Sequence, residues 1–279
     1  MEKIRLLDGS EWIREDLLEK MKDDDFYFGY LGKEKVLSKS SINDLVPPKS
    51  PKAWYYNSGK KKNETSLRAG TLFHLAILEP DKYDLLNFSK LKTRGSAGFK
   101  SQAAELKEQG EVLYSSSEKE FNEKLVSEFT VNKRAMMKLQ DCDFEVPILG
   151  EIEGIPFRGK ADVVTKDNRI IDLKTCGDLE NFPNDAASYG YDIQCYVYSK
   201  LMGFDPVGSE FLVIAKNTYD IGFFDVDKSF IEQGKNKLER AIEVYKQIFY
   251  QKTDEEIRET LNEITYTNKL FSKFQFKKK

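Results

Sequence analysis

Asp162, Asp172 and Lys174 stand at spacings that could serve a common purpose. Ile170-Ile-Asp-Leu-Lys174 reads as a short strand, and alternate residues of a strand share a face, so Asp172 and Lys174 point the same way. Asp162 sits in an apolar-rich run that begins at Gly159, and Lys166-Asp-Asn-Arg169 supplies a polar turn between the two segments. Closing that hairpin brings two carboxylates and an ammonium around one point, which is costly unless the charges serve one another or a ligand. A hard divalent cation takes oxygen donors and keeps several waters. Asp162, Asp172 and one backbone carbonyl, which Leu173 can provide, are enough to hold it. Such a cation activates water and neutralises charge at a phosphodiester undergoing attack, and Lys174 beside it could orient or deprotonate that water. Mg2+ suits these donors, with Mn2+ as its substitute. An acid followed ten residues later by Asp-x-Lys also occurs in solvated hairpins, so spacing alone leaves both readings open.

The elements that must position these residues can be read in chain order. An amphipathic helix is expected from near Ser10, carrying Trp12, Ile13, Leu17, Leu18 and Met21, with the aromatic stretch Phe26-Tyr-Phe-Gly-Tyr30 after it. Ser38 caps a short helix stopped by Pro47-Pro48, and Ser50-Pro51 opens another. Gly59 and Lys60-Lys61-Lys62 read as a linker. Arg68 to Glu79 is an apolar helix ended by Pro80, and it carries His74, the only histidine. An alanine- and glutamate-rich helix runs to about Gln109. Ser117-Glu-Lys-Glu120 reads as a capping box opening a further helix, with a break near Val131. A hairpin turning at Glu153-Gly154, followed by Arg169 to Thr175, makes a three-stranded meander that carries the acids. Glu151 and Glu153 face solvent on it. Ala186 to Met202 reads as a helix closed by Gly203, with Gln194 and Tyr198 four apart and so on one face. A second hairpin, Glu210–Ala215 with Asp220–Val226, and a long helix from about Asp227 to Tyr250 complete the pattern.

The 279 residues suffice for one large domain, with or without a helical elaboration. No apolar run approaches the roughly 20 residues needed to span a bilayer, and the first residues lack an export signal, so a cytoplasmic protein is expected. Cys142, Cys176 and Cys195 are odd in number and show no CxxC pattern, which points to reduced thiols. A formal charge of -3 gives no global nucleic-acid footprint, so any DNA contact must be local. Lys60-Lys61-Lys62, the set Lys90, Lys92, Arg94 and Lys100, and Lys277-Lys278-Lys279 are basic clusters that fit either local contacts or solvated faces.

Lys160-Ala-Asp162 with Ile171-Asp-Leu-Lys-Thr175 resembles the acid and acid-x-lysine strands of the PD-(D/E)XK nuclease superfamily. Gly70-Thr-Leu-Phe-His74 through Pro80 resembles the histidine helix of its RecB-like branch, which includes phage and prophage exodeoxyribonuclease VIII (RecE-type) exonucleases. Gln194-Cys-Tyr-Val-Tyr198 is similar to that branch's QxxxY helix, and Ser38-Lys-Ser-Ser-Ile with Ser50-Pro-Lys-Ala-Trp to its leading segment. The likeness runs from about residue 36 to 226. The first acid follows Lys160-Ala where the motif has proline, a common relaxation. The resemblance implies an α/β fold: a nuclease core with a central mixed β-sheet flanked by helices and with helical N- and C-terminal additions. The chain then divides into an extension (1–36), a core (37–226) and C-terminal helices with a basic tail (227–279), all one nuclease domain.

By the same resemblance His74 is a metal ligand or lies beside the metal, where on its own it could equally be a packed core histidine. Gln194 and Tyr198 would line the site's mouth and contact the scissile strand; otherwise they form an ordinary helix face. Glu79 is a reserve acid near the site. The implied activity is metal-dependent cleavage of DNA by a 5′-to-3′ exonuclease at linear duplex ends, leaving 3′ single strands for a phage annealing protein. Processivity without a basic surface points to a ring-shaped homo-oligomer around the DNA. A single-strand or flap nuclease, and a non-catalytic DNA-end binding protein on this fold, are the alternatives. The tail Leu270–Lys279 interleaves aromatics and lysines, as a single-strand or partner contact would, or as a frayed basic end.

Overall fold

Turn chemistry decides where the first elements begin. In the computed structural model, which describes residues 2–46, 49–56 and 64–264, β1 (Lys3–Arg5) and β2 (Glu11–Ile13) form a hairpin, and α1 (Arg14–Lys20) follows. The helix expected from Ser10 therefore starts later. Gly9 turns the chain at φ 84, and the Ser10 N–H donates to Asp8 Oδ1 at 3.0 Å, so Trp12 lies on a strand opposite Ile4. A π-helical turn, Asp25–Tyr30, leads to β3 (Leu37–Ser38), α2 (Lys39–Asn43), which Ser38 caps as expected, and α3 (Pro51–Tyr56). The Pro47-Pro48 stop, the lysine linker after Gly59 and the basic tail lie outside the described residues.

Pro80 both ends α4 (Glu64–Leu78) and starts α5 (Pro80–Asp84). The short strands β4 (Asn87–Phe88) and β5 (Leu113–Tyr114) pair in parallel around α6 (Ala97–Glu108). The next helix, α7 (Ser116–Thr130), has its capping box at Ser115 and Glu118, two residues ahead of the expected one. Glu118 is fixed there by Arg68 Nε at 2.6 Å as well as by the Ser115 N–H at 2.8 Å. After α8 (Lys133–Lys138) come the long strands β6 (Asp143–Ile152), β7 (Ile155–Val164) and β8 (Ile170–Cys176). Glu153 and Gly154 both take positive φ, the requirement of a tight hairpin turn. The single helix expected over Ala186–Met202 is two, α9 (Phe182–Ser188) and α10 (Tyr191–Met202). Gly190 at φ 72 breaks it, and a Cβ there would lie 2.4 Å from Asn43 Oδ1. β9 (Glu210–Ala215), β10 (Ile221–Asp225), α11 (Lys228–Ile248) and α12 (Asp254–Glu263) complete the chain.

A mixed six-stranded sheet runs β10-β9-β8-β7-β3, with β6 also on β7. β8 is parallel to β9, and β3 to β7. Alternate residues of β9 separate the layers: Leu212 and Ile214 pack with Phe73, Leu125 and Phe129 of α4 and α7, while Phe211 and Val213 pack with Phe182, Cys195 and Ile231 of α9, α10 and α11. The N-terminal segment buries Leu17, Met21, Tyr27 and Leu31 against Leu149 of β6. Among the described residues no helix is long and apolar enough to cross a membrane.

Candidate active site

β6 occupies one edge of β7 along its length. On the other edge, β8 pairs only at Val163 and Val164 and β3 only at Phe157 and Arg158. β7 and β8 therefore part at Asp162, and the Leu173 N–H donates to Asp162 Oδ2 at 2.8 Å where a ladder bond would otherwise lie. The same oxygen is 3.5 Å from His74 Nδ1 of α4 and 3.9 Å from Lys174 Nζ. Lys174 forms an ion pair with Asp172 Oδ2 and donates to the Leu173 carbonyl at 3.4 Å. Gln194 Nε2 of α10 donates to Asp172 Oδ1. One splayed strand pair and two helices thus bring together His74, Asp162, Asp172, Leu173, Lys174 and Gln194.

Burial gives these groups different electrical characters. Asp172 is 4% exposed, and burial together with the nearby Asp162 pushes its carboxyl up, against the pull of Lys174. Burial also opposes the charge on Lys174, but Asp172 and Asp162 outweigh it and hold the ammonium well above the ordinary lysine range. Gln194 is buried with its amide committed to Asp172, which places it at the cleft floor and not at the mouth. Tyr198 lies behind Gly159, where a Cβ would come within 2.4 Å of its ring; burial raises its phenol well above the usual value, so it stays protonated. Glu79 ion-pairs with Lys82 at 2.6 Å, while Glu151 and Glu153 are exposed, as expected.

Glu145 escaped the sequence reading. Its carboxylate, that of Asp162 and the His74 imidazole each offer a donor atom within 4.8 Å of the others. Counting back from the Glu153-Gly154 turn puts Glu145 directly opposite Asp162, so the register held the signal. The backbone is unusual there. Glu145 has φ 50, and the side-chain alternation of β7 slips: Ala161 packs toward Tyr198 and Leu201 of α10, whereas Val163, two residues on, packs with Phe73 and Phe129. A non-glycine residue held at positive φ within a strand costs on the order of 1–3 kcal/mol and is found where the surroundings impose it. Burial, then Asp162 and Glu79, push the Glu145 carboxyl up to about 8. Two carboxyl groups, one of which resists ionisation without a counter-charge, and an imidazole fit a divalent cation. Asp172 Oδ2, buried and paired with the Lys174 ammonium, keeps a further lone pair as an oxygen donor beside them.

A family model described as a PDDEXK-like domain of unknown function (DUF3799) matches residues 48–262. The chain belongs to this PDDEXK-like family. The solved structure of a candidate exonuclease from Eubacterium rectale is similar to this PDDEXK-like chain at 18% identity and a TM-score of 0.59, covering 90% of this chain and 95% of that one. A phage-related exonuclease from Haemophilus somnus 129PT aligns at 16% identity and a TM-score of 0.32, over 76% and 94% of the two chains. No curated protein sequence matches. The PDDEXK-like domain and the first of these structures establish a nuclease-type fold, with the mixed sheet flanked by helices as expected.

Proposed function

We propose that this protein is a metal-dependent deoxyribonuclease that hydrolyses phosphodiester bonds, acting as a 5′-to-3′ exonuclease on linear duplex DNA and leaving 3′ single strands for annealing recombination. The observation that carries the nuclease reading is the convergence of His74, Glu145 and Asp162 beside a Lys174 held by Asp172, in a cleft opened by the parting of β7 and β8. His74, Glu145 and Asp162 would hold a divalent cation, Mg2+ or Mn2+, with Asp172 and the Leu173 carbonyl completing the donors. When bound, the cation supplies charge neutralisation and lowers the pKa of water.

The chain's own residues do the rest. Lys174, kept cationic by its two carboxylates, orients the attacking water and balances charge on the phosphoryl oxygens, a role its raised pKa favours over that of general base. Gln194 fixes the Asp172 carboxylate, and through it the ammonium. Tyr198, backed by Gly159, supports the wall on which the scissile strand rests. We read the whole chain as one nuclease unit that assembles into a ring around its substrate.

Digestion of linear duplex labelled separately at each 5′ and 3′ end, with Mg2+ or with chelator and beside Lys174→Ala, tests this. Mg2+-dependent release from 5′ ends that Lys174→Ala abolishes is expected. Release only from single-stranded or flap substrates would replace the duplex reading, and end binding without cutting would replace the enzyme. A monomeric mass in solution would remove the ring.

A further inference from the structure

Asp24, immediately before the π-helical turn, bonds two ammonium groups at once. Its Oδ1 takes Lys160 Nζ and its Oδ2 takes Lys82 Nζ, each at 2.6 Å. Lys160 lies on β7 two residues before Asp162, with its ammonium 3.9 Å from Glu145. Lys82 lies on α5, just beyond the helix that carries His74. Lys82 also pairs with Glu79 at 2.6 Å, but Asp24 is the carboxylate that both ammoniums share, and the place between two cations that repel each other is one that favours an anion. A phosphodiester presents two anionic oxygens from one centre, as a carboxylate does, and accepts the same charge-assisted bonds.

The surroundings also suit a nucleic acid. Lys160 is 5.1 Å from the Tyr27 ring centre and 5.8 Å from that of Phe28, and Phe28 is 70% exposed. Cations interleaved with an open aromatic ring are the means by which proteins hold a strand and stack a base. The Lys160 side chain is only 9% exposed, so its ammonium is held in place, while Asp24 and Lys82 at 40% and 41% leave the seat open to solvent.

We propose that Lys82 and Lys160 form a phosphate seat for the DNA strand beside the His74-Glu145-Asp162 cluster, and that Asp24 occupies it in the free protein as an internal substitute which the phosphodiester displaces. The identity of the ligand rests on the nuclease reading above. Asp24 then sets how tightly DNA binds, and its loss releases the bond it holds on each cation while Glu79 stays paired with Lys82.

Fluorescence anisotropy of a labelled duplex oligonucleotide, in calcium and in chelator across a salt series, tests the seat without cutting. Asp24→Asn is expected to tighten binding by about three- to tenfold and to steepen log K against log salt by about one. Lys82→Gln, on a half-exposed surface helix and so expected to stay folded, should weaken binding and flatten the slope by about one. In the Lys82→Gln background the gain from Asp24→Asn should shrink. Wild-type binding with a slope that Lys82→Gln does not move would overturn the seat and leave the nuclease reading intact. So would an equal gain from Asp25→Asn, which changes net charge alone. Absence of both binding and cutting by the wild type would overturn the two together.

Discussion

Asp172 and Asp162 are both cleft carboxylates, ten residues apart in the chain, but they are held in different ways. At the floor, Asp172 is buried with one oxygen on Gln194 and the other on Lys174, so this part of the cleft is neutralised by the protein itself. At the rim, Asp162 shares a single oxygen among the Leu173 N–H, His74 and Lys174, and faces a Glu145 whose carboxyl is held up to about 8. The floor carries its own counter-charge, whereas the rim has acceptors in excess. A preorganised cationic group beside an acid cluster short of positive charge is a sensible division of labour for phosphodiester cleavage. On the proposed reading the cation would sit at the rim, with the Lys174 ammonium below it.

The hardest test of this contrast separates stability from activity at the floor. Lys174→Met should reduce cutting of linear duplex by about 10³-fold, comparable to the loss of a preorganised electrostatic group. Stranding Asp172 should cost about 3–5 kcal/mol in urea unfolding. Adding Asp172→Asn should restore most of that stability and none of the activity. Recovery of activity in the double variant would show that the floor is only structural.

At the rim, Glu145→Gln should act through the metal. A drop of roughly 10- to 100-fold in metal affinity is expected, read by calorimetry with Mn2+, with little loss of fold. The pH dependence has a definite sign. An unfolded glutamate releases its proton near 4.5 and folded Glu145 near 8, so between these values the folded protein holds one proton more. Metal-free stability should therefore fall as pH rises from about 5 to about 8, by an amount on the order of a few kcal/mol. Glu145→Gln should flatten that slope, and wild-type metal affinity should climb across the same window as the cation displaces the proton. A pH-independent metal affinity would place the ion elsewhere. The smallest effect is expected for Gln194→Ala, which leaves Asp172 Oδ1 unpaired at about 1–3 kcal/mol and loosens the ammonium it steadies. Unchanged unfolding would show that water can take the amide's place.

The pairing of Asp172 with Lys174 was legible in the sequence because it is local: the two share a strand face. Gln194 and Tyr198 share a helix face, but only the family resemblance drew them to the site, and it put Gln194 at the mouth where the structure has it on Asp172. The meander, its turn at Glu153-Gly154 and the proline boundary at Pro80 were readable because they too are local. Glu145 was missed because the hairpin register that sets it opposite Asp162 was not followed back from the Glu153-Gly154 turn, and its positive φ is not something alternation predicts. Trp12 was assigned to a helix because its apolar spacing to Leu17 mimics one; the Asp8-Gly9-Ser10 turn carried the contrary signal. Asp24 could not be read at all, since its partners lie on elements far along the chain and a charged run looks the same whether solvated or docked.

That distance has a kinetic consequence. Asp24 meets Lys160 across 136 residues and Arg14 meets the Leu149 carbonyl across 135. The hairpin of β1 and β2 and α1 are made before β6 and β7, which they cover, by on the order of ten seconds of synthesis. Loop closure of that length favours local pairing in the β6–β8 meander first. Pulsed hydrogen exchange during refolding should show amides of that meander protected before those of β1 and β2. The cleft would then form first and acquire Asp24 last, so that, if Lys82 and Lys160 seat a phosphate as proposed, the chain would be most DNA-adhesive just before it is complete.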